Sequence, residues 1–261
     1  MGQDSAIEWT HHTFNPWWGC TKVSPGCANC YAESFDKRVG GTHWGPGVGR
    51  RTFGEKHWNE PKKWNAAAAK AGERHRVFCA SMADVFDAEA PAGQLDRLWA
   101  LIRETPHLDW LLLTKRPERI AASLPADWGE GYPNVWLGTS VEDQARADER
   151  IRILRDLPAV VRFLSCEPLL ERVDLSVGVF DRERAIRKAM NGPAALNRDQ
   201  ADSVIAHPID WVIVGGESGP NARPMHPDWA RSIRDQCAAA GVAYFLKQAV
   251  QAPGPGGVNN G

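Results

Sequence analysis

Residues 108–114 read LDWLLLT, a run so apolar that both faces of the strand it predicts must be covered. A strand with one wet face alternates apolar with polar residues; one that is apolar throughout belongs to a sheet buried on both sides, as parallel sheets are. Similar runs recur at 76–81 (RVFCAS), 134–140 (NVWLGTS), 160–165 (VVRFLS), 210–215 (DWVIVG) and 242–246 (VAYFL), with a weaker seventh strand expected near residues 7–13. Segments of helical period separate them. Leu95, Leu98, Trp99 and Ile102 fall at i, i+3, i+4 and i+7, one stripe of a helix. After residue 140, a Ser140 cap with Asp143 three residues on predicts a helix that turns Ala147, Ile151 and Leu154 inward. Behind Pro227, the residues Trp229, Ile233 and Cys237 repeat the pattern. Strands alternating with helices give the α/β class, and right-handed crossovers curl such a sheet into a partial (β/α)6-type TIM-like barrel.

The chain has 261 residues, 43% hydrophobic and 24% charged, enough for one such domain, expected over 1–250. Two stretches stand outside the rhythm as insertions, about 33–75 and about 175–207, where such folds carry lids or substrate loops. Residues 251–261, QAPGPGGVNNG, predict a disordered tail. Lys plus Arg number 31 against 32 Asp plus Glu, so no global basic field announces nucleic acid, although a local basic groove stays open. There is no apolar run of about 18 residues and no signal-peptide pattern in MGQDSAIEWTHH, so no membrane partner and a cytoplasmic location are expected.

Three of the six cysteines crowd into eleven residues of the segment 15–32, NPWWGCTKVSPGCANCYA. Pro25-Gly26 turns the chain so that Cys20 folds back toward Cys27 and Cys30. Cys79, Cys166 and Cys237 lie among apolar residues, where a thiol is most often a small buried hydrophobe. A zinc ion would need a fourth ligand, for which His11, His12 and His43 are available. Three thiolates also suit a 4Fe-4S cluster with one iron left open to an external ligand. Most of the twelve tryptophans should be packing, but a cluster beside this loop could wall a pocket for a planar ligand.

The succession NPWWGCTKVSPGCANCYA, VFCASMADVF, LLLTKRP, VWLGTSVED, FLSCEPLLERVDL and VIVGGESG resembles the radical S-adenosylmethionine (SAM) superfamily, especially its spore photoproduct lyase-like branch. It is similar also to a phage-associated family of three-cysteine proteins. Two departures stand out. The superfamily spaces its cysteines by three residues, then two; here the gaps are six, then two. Its Gly-Gly-Glu lies near the second strand, whereas Gly215-Gly216-Glu217 follows the sixth candidate strand, so the role of holding the SAM amine is not carried to Glu217. The resemblance implies that Cys20, Cys27 and Cys30 hold a 4Fe-4S cluster at the barrel mouth. Its open iron would chelate the amino and carboxylate groups of S-adenosyl-L-methionine, and one electron would cleave the sulfonium bond to a 5'-deoxyadenosyl radical. An electron donor of flavodoxin or ferredoxin type is implied as a partner.

Polar residues gather at the strand ends, the rim where barrels build their sites. Lys115, Cys166 and Glu167 are the expected catalytic candidates; Ser81, Asp84, Thr114, Ser140, Glu142, Gly215, Gly216 and Glu217 are the expected cofactor-binding set. Arg116, Ser218, Lys247 and Gln248 complete the rim. Lys115 would meet a SAM carboxylate or a phosphate, or else head the next helix as half of a solvated Lys-Arg pair. In similar lyases a thiol donates a hydrogen atom, the role considered for Cys166 against plain burial. Arg50, Arg51 and Arg223, with Trp44 and Trp58, could meet phosphates and stack on bases, pointing to a nucleic acid or nucleotide substrate. The leading expectation is a radical SAM enzyme that abstracts a hydrogen atom from such a substrate. The alternatives are a zinc-stabilised nucleic-acid-binding module and a non-catalytic iron-sulfur scaffold for a partner protein.

Overall fold

The computed structural model describes residues 7–175, 209–219 and 221–248. Seven strands form one parallel sheet: β1 (His12–Phe14), β4 (His75–Cys79), β5 (Leu108–Thr114), β6 (Val135–Ser140), β7 (Val161–Cys166), β8 (Trp211–Gly215) and β9 (Ala243–Gln248). They lie side by side in chain order, so successive crossovers step the same way round and the sheet curls into a half-barrel. β2 (Trp17–Trp18) and β3 (Arg51–Thr52) make a separate antiparallel pair. The expected strands are all present. The first is shorter than expected because residues 7–11 turn, Thr10 N donating to Ile7 O at 3.1 Å, and fold Trp9 back under the sheet.

Adjacent residues of a strand face opposite sides, and the two sides have separate cores. Val77, Cys79, Trp110, Leu112, Val135 and Leu137 point outward into the helices. There α4 (Gln94–Glu104) buries Leu98, Trp99 and Ile102, α5 (Gln144–Arg155) buries Ala147, Ile151 and Leu154, and α6 (Pro227–Ala240) buries Ile233 and Cys237. Phe78, Leu111, Phe163, Trp211 and Ile213 point inward, joined by Trp9. The Trp9 ring lies 4.7 Å from Phe78 and 6.1 Å, edge to face, from Trp211. Burying one such side chain stabilises by about 1.5–3 kcal/mol. Position 138 must be glycine, since a Cβ there would run into the Phe163 ring.

Ser140 does not cap α5. It is the last residue of β6, and the N-cap is Asp143, whose carboxylate accepts from Arg146 N at 2.8 Å. The strand runs through Ser140, so the helix starts three residues later than expected and the acid expected in its first turn is its cap. The stretch about 33–75 carries most of α1 (Tyr31–Arg38), β3, α2 (Glu55–Trp58) and α3 (Glu60–Ala71), and sends Trp58 and Trp64 into the outer core. The expected insertion up to residue 207 lies, from 176 on, outside the described residues, as does the tail. Among the described residues no helix is long and apolar enough to cross a membrane.

Candidate functional site

The cysteine loop lies across the C-terminal ends of the strands. Gly19 N donates to Met82 O at 3.0 Å just beyond β4, which starts the loop over the barrel mouth. Cys20, Cys27 and Cys30 are all free thiols, all half-buried, and all line one cleft. Ser81, Asp84, Thr114, Lys115, Ser140, Glu167, Gly216 and Glu217 line it too, above a floor of Ile7, Trp9, Phe78 and Leu113.

Buried carboxylates seat the loop on both sides. Ser24 Oγ donates to Glu142 Oε1, and Glu142 Oε2 accepts from Arg150 Nη1 at 2.7 Å. Gly26 presses on the same carboxylate, where a Cβ would lie 2.8 Å from Oε1. Opposite, Glu217 Oε2 accepts from Asn29 Nδ2 at 2.9 Å, from Arg223 N at 2.8 Å and from Arg223 Nε at 2.9 Å, while Arg223 Nη2 donates to Pro25 O at 3.0 Å. Burial alone would push the Glu217 carboxyl up, but the bonds from Arg223 and Asn29 outweigh it and bring the pKa to about 2. A depressed carboxylate contributes stability above its ordinary value of 4.5 and loses it as pH falls toward 2. Glu217→Gln should therefore lower Tm at neutral pH, with the gap to wild type closing between about pH 4.5 and pH 2. A gap that stays constant across that range would remove the latch from Glu217.

Arg116 reaches the first cysteine. Its Nη1 and Nη2 lie 3.5 and 3.7 Å from Cys20 Sγ, and Nη2 donates to Thr21 O at 2.6 Å. Asp84 and Asp87 hold the guanidinium at 3.0 and 3.6 Å. Burial and the nearby Asp84 push the Cys20 thiol up to about 12, with Arg116 acting the other way. Asp84 also accepts from Thr114 Oγ1 at 2.7 Å and Lys115 N at 3.0 Å, so it ties the ends of β4 and β5 together.

Deeper in the mouth, Lys115 Nζ donates to Ser140 Oγ at 3.0 Å, and Ser140 pairs in register with Ser165. Ser165 Oγ and Lys247 Nζ approach Glu167 Oε2 at 3.5 and 3.7 Å. Burial pushes the Glu167 carboxyl up; the lysines oppose this. Glu167 Oε1 and Trp9 Nε1 are buried with no hydrogen-bond partner among the described residues, both on this cleft. Buried polar atoms are rarely left orphaned without a role for a ligand or water. Gly215 makes room for Glu167, whose carboxylate would collide with a Cβ there.

Other expected residues lie elsewhere. Cys166 is fully buried in the outer core on the helix side of β7, not on the cleft, and burial pushes its thiol up. Glu142 is fully buried beneath the loop, spent on Ser24 and Arg150. Ser81, by contrast, stays on the cleft and accepts from Asn15 Nδ2 at 3.0 Å. The expected phosphate and base patch is not assembled as a unit: Arg50 is buried against Asp87 and Glu89, Arg51 lies over Trp18 at 4.7 Å, Arg223 is bound to Glu217, Trp58 is in the core, and of the five Trp44 lines the cleft. Asn29 and Trp9 are the site residues that sequence pattern did not single out, and Arg116, placed on the rim, was not expected to touch a cysteine. Nothing in spacing marks an arginine that reaches a cysteine 96 positions away.

The three thiols are not placed to share a single ion. Among the described residues no three His, Cys, Asp or Glu side chains are placed to hold one metal ion, as tetrahedral zinc with ligand bonds near 2.3 Å would require. His43 Nδ1 is engaged by Asp36 at 2.9 Å, and His12 contacts His75 at 3.1 Å on β4 at the other end of the sheet. Ligands of an iron-sulfur cluster bind different irons and stand further apart, and three of them leave one iron open.

A family model described as "Protein of unknown function (DUF5131)" matches residues 4–253. The chain belongs to this family. No curated protein matches the sequence. Among solved structures, the DUF5131 chain is similar to spore photoproduct lyase complexed with dinucleoside spore photoproduct, at 10% identity and a TM-score of 0.54 over 96% of this chain and 79% of that one. A double mutant of the same lyase, with bound AdoMet and dinucleoside spore photoproduct, matches at 11% identity and a TM-score of 0.53, over 95% and 79%. At such identity the likeness establishes the half-barrel fold.

Proposed function

We propose that this chain is a radical SAM enzyme. The observation that carries the proposal is the set of three free, half-buried thiols from one loop, gathered on a single cleft over the C-terminal mouth of a parallel half-barrel. Cys20, Cys27 and Cys30 would hold a 4Fe-4S cluster, which when reduced by a flavodoxin or ferredoxin type donor supplies the electron that cleaves S-adenosyl-L-methionine. The protein's part is placement and exclusion of water. Glu142 and Glu217 clasp the loop from two sides and fix the thiols against the barrel. Lys115 and Lys247 are two cations at the mouth for a carboxylate or phosphate, with Ser140 and Ser165 beside them. Glu167, its carboxyl raised by burial, is the group on the cleft that would offer or accept a proton.

For the substrate, the floor of Trp9, Phe78 and Leu113 suits a flat ring, and Lys115 and Lys247 at the mouth suit an anionic group. A nucleotide presents both features, and the dinucleoside bound by the similar lyase supports that class. With Cys166 on the other face of the sheet, a hydrogen-donor role for that thiol has no support in this geometry.

The test is anaerobic reconstitution with iron and sulfide, followed by electron paramagnetic resonance of the reduced protein with and without SAM. A 4Fe-4S signal that changes on adding SAM is expected. Zinc in place of iron, or an iron-sulfur signal indifferent to SAM, would overturn the enzyme assignment, the first toward a zinc module and the second toward a scaffold.

A further inference from the structure

We infer that Arg116 is a positioning residue for the cluster: it pins Cys20 and raises the cluster's reduction potential. The inference rests on the cluster reading above.

The cysteine loop fixes its three thiols unequally. Cys27 and Cys30 sit on or beside the tight turn Pro25–Cys27, closed by Cys27 N to Ser24 O at 2.9 Å and Ala28 N to Pro25 O at 3.2 Å. Cys20 lies across a six-residue gap from that turn, bridged within the loop by one exposed bond, Lys22 Nζ to Ala28 O at 3.0 Å. Its buried anchors come from outside the loop, and Gly45 N donates to Cys20 O at 3.0 Å. Gly19 N is bonded to Met82 O, and the Arg116 guanidinium spans Cys20 Sγ and Thr21 O. Arg116 is itself held, with a side chain 6% exposed and Asp84 and Asp87 as partners. Asp84 in turn is tied to Thr114 and to the backbone of Lys115. The result is a rigid line from the ends of β4 and β5 to one thiol.

A cation donating hydrogen bonds to a ligand thiolate draws electron density from the sulfur. It therefore favours the reduced state, which carries the extra negative charge, and shifts the potential upward. The environment is unequal among the ligands. Cys27 Sγ has Ser24 Oγ at 3.7 Å, and among the described residues neither Cys27 nor Cys30 has a guanidinium bonded to its sulfur. The longer first gap and the arginine go together: one frees Cys20 from the turn, the other fastens it to the barrel.

The experiment compares reconstituted wild type with Arg116→Lys, Arg116→Gln and the distant, exposed Arg103→Gln, by redox titration monitored by electron paramagnetic resonance. Arg116→Lys keeps a cation for Asp84 and Asp87 and guards against misfolding, but it loses the forked reach to both Sγ and Thr21 O. The expected result is a fall in midpoint potential in Arg116→Gln, a smaller fall in Arg116→Lys, and none in Arg103→Gln. Exchange into D2O should also shift the iron-to-cysteine stretch in the resonance Raman spectrum of wild type more than in Arg116→Lys. Wild-type potential and wild-type isotope shift in Arg116→Lys would overturn this inference alone. A wild-type chain that takes up no cluster would overturn the cluster reading, and this with it.

Discussion

Cys20→Ala, Cys27→Ala and Cys30→Ala should each abolish the 4Fe-4S signal of the reconstituted protein, while Cys237→Ala and Cys166→Ala keep it. The contrast follows from position. The three loop thiols share one cleft, and a cluster already left with one open iron does not survive losing a further ligand. Cys166 and Cys237 are fully buried in the outer core, on the helix side of the sheet. Their truncation removes one sulfur from a packed interior, a cost on the order of 1 kcal/mol that should appear as a modest drop in Tm. Cys166→Ala also separates two roles that sequence position left mixed. If SAM cleavage and substrate turnover persist in it, the thiol is packing; if cleavage persists and product formation fails, the thiol has access to the substrate after all. A full cluster in Cys27→Ala would sink the ligand assignment.

The fold was legible because its information is local. LDWLLLT reproduces the observed strand Leu108–Thr114 to the residue, and Leu98, Trp99 and Ile102 form the buried stripe of α4 that their spacing predicts. Burial on both faces writes itself into every position of a strand. The three thiols that share the cleft were legible for the same reason, falling within eleven residues. The rest of the site depends on distant partners. Glu142 and Glu217 look alike as acids at strand ends, but each is consumed by an arginine and a loop residue, Arg150 with Ser24 and Arg223 with Asn29. Arg50 looks like half of a basic pair, yet it is buried and neutralised by Asp87 and Glu89. Cys166 ends its strand one residue before Glu167, and strand alternation alone sends the thiol out to the helices. A rim residue's number says that it is near the mouth; the parity of its strand decides whether it faces the lumen.

Arg150→Leu should be the most destabilising of the changes considered outside the cluster. The Arg150 side chain is 5% exposed and that of Glu142 is 0% exposed, with their charged atoms 2.7 Å apart. Arg150 also donates to Ser140 O at 2.9 Å. Its removal leaves a wholly buried carboxylate with one hydroxyl partner, Ser24. Breaking a buried pair from one side costs about 3–5 kcal/mol, because the remaining charge has neither water nor counter-ion. A surface pair such as Lys62 with Glu104, both about half exposed, contributes about 0–1 kcal/mol, so Lys62→Ala is the control. Urea unfolding midpoints measure both. The double variant Arg150→Leu with Glu142→Leu removes the stranded charge and should regain much of the lost stability. It should not regain cluster uptake, since Ser24 then has no carboxylate to seat the turn that carries Cys27. If Arg150→Leu cost no more than Lys62→Ala, the pair would be solvated and the loop's seat would have to lie on the Glu217 side alone. If the double variant loaded its cluster as wild type does, Glu142 would be holding the barrel rather than the loop.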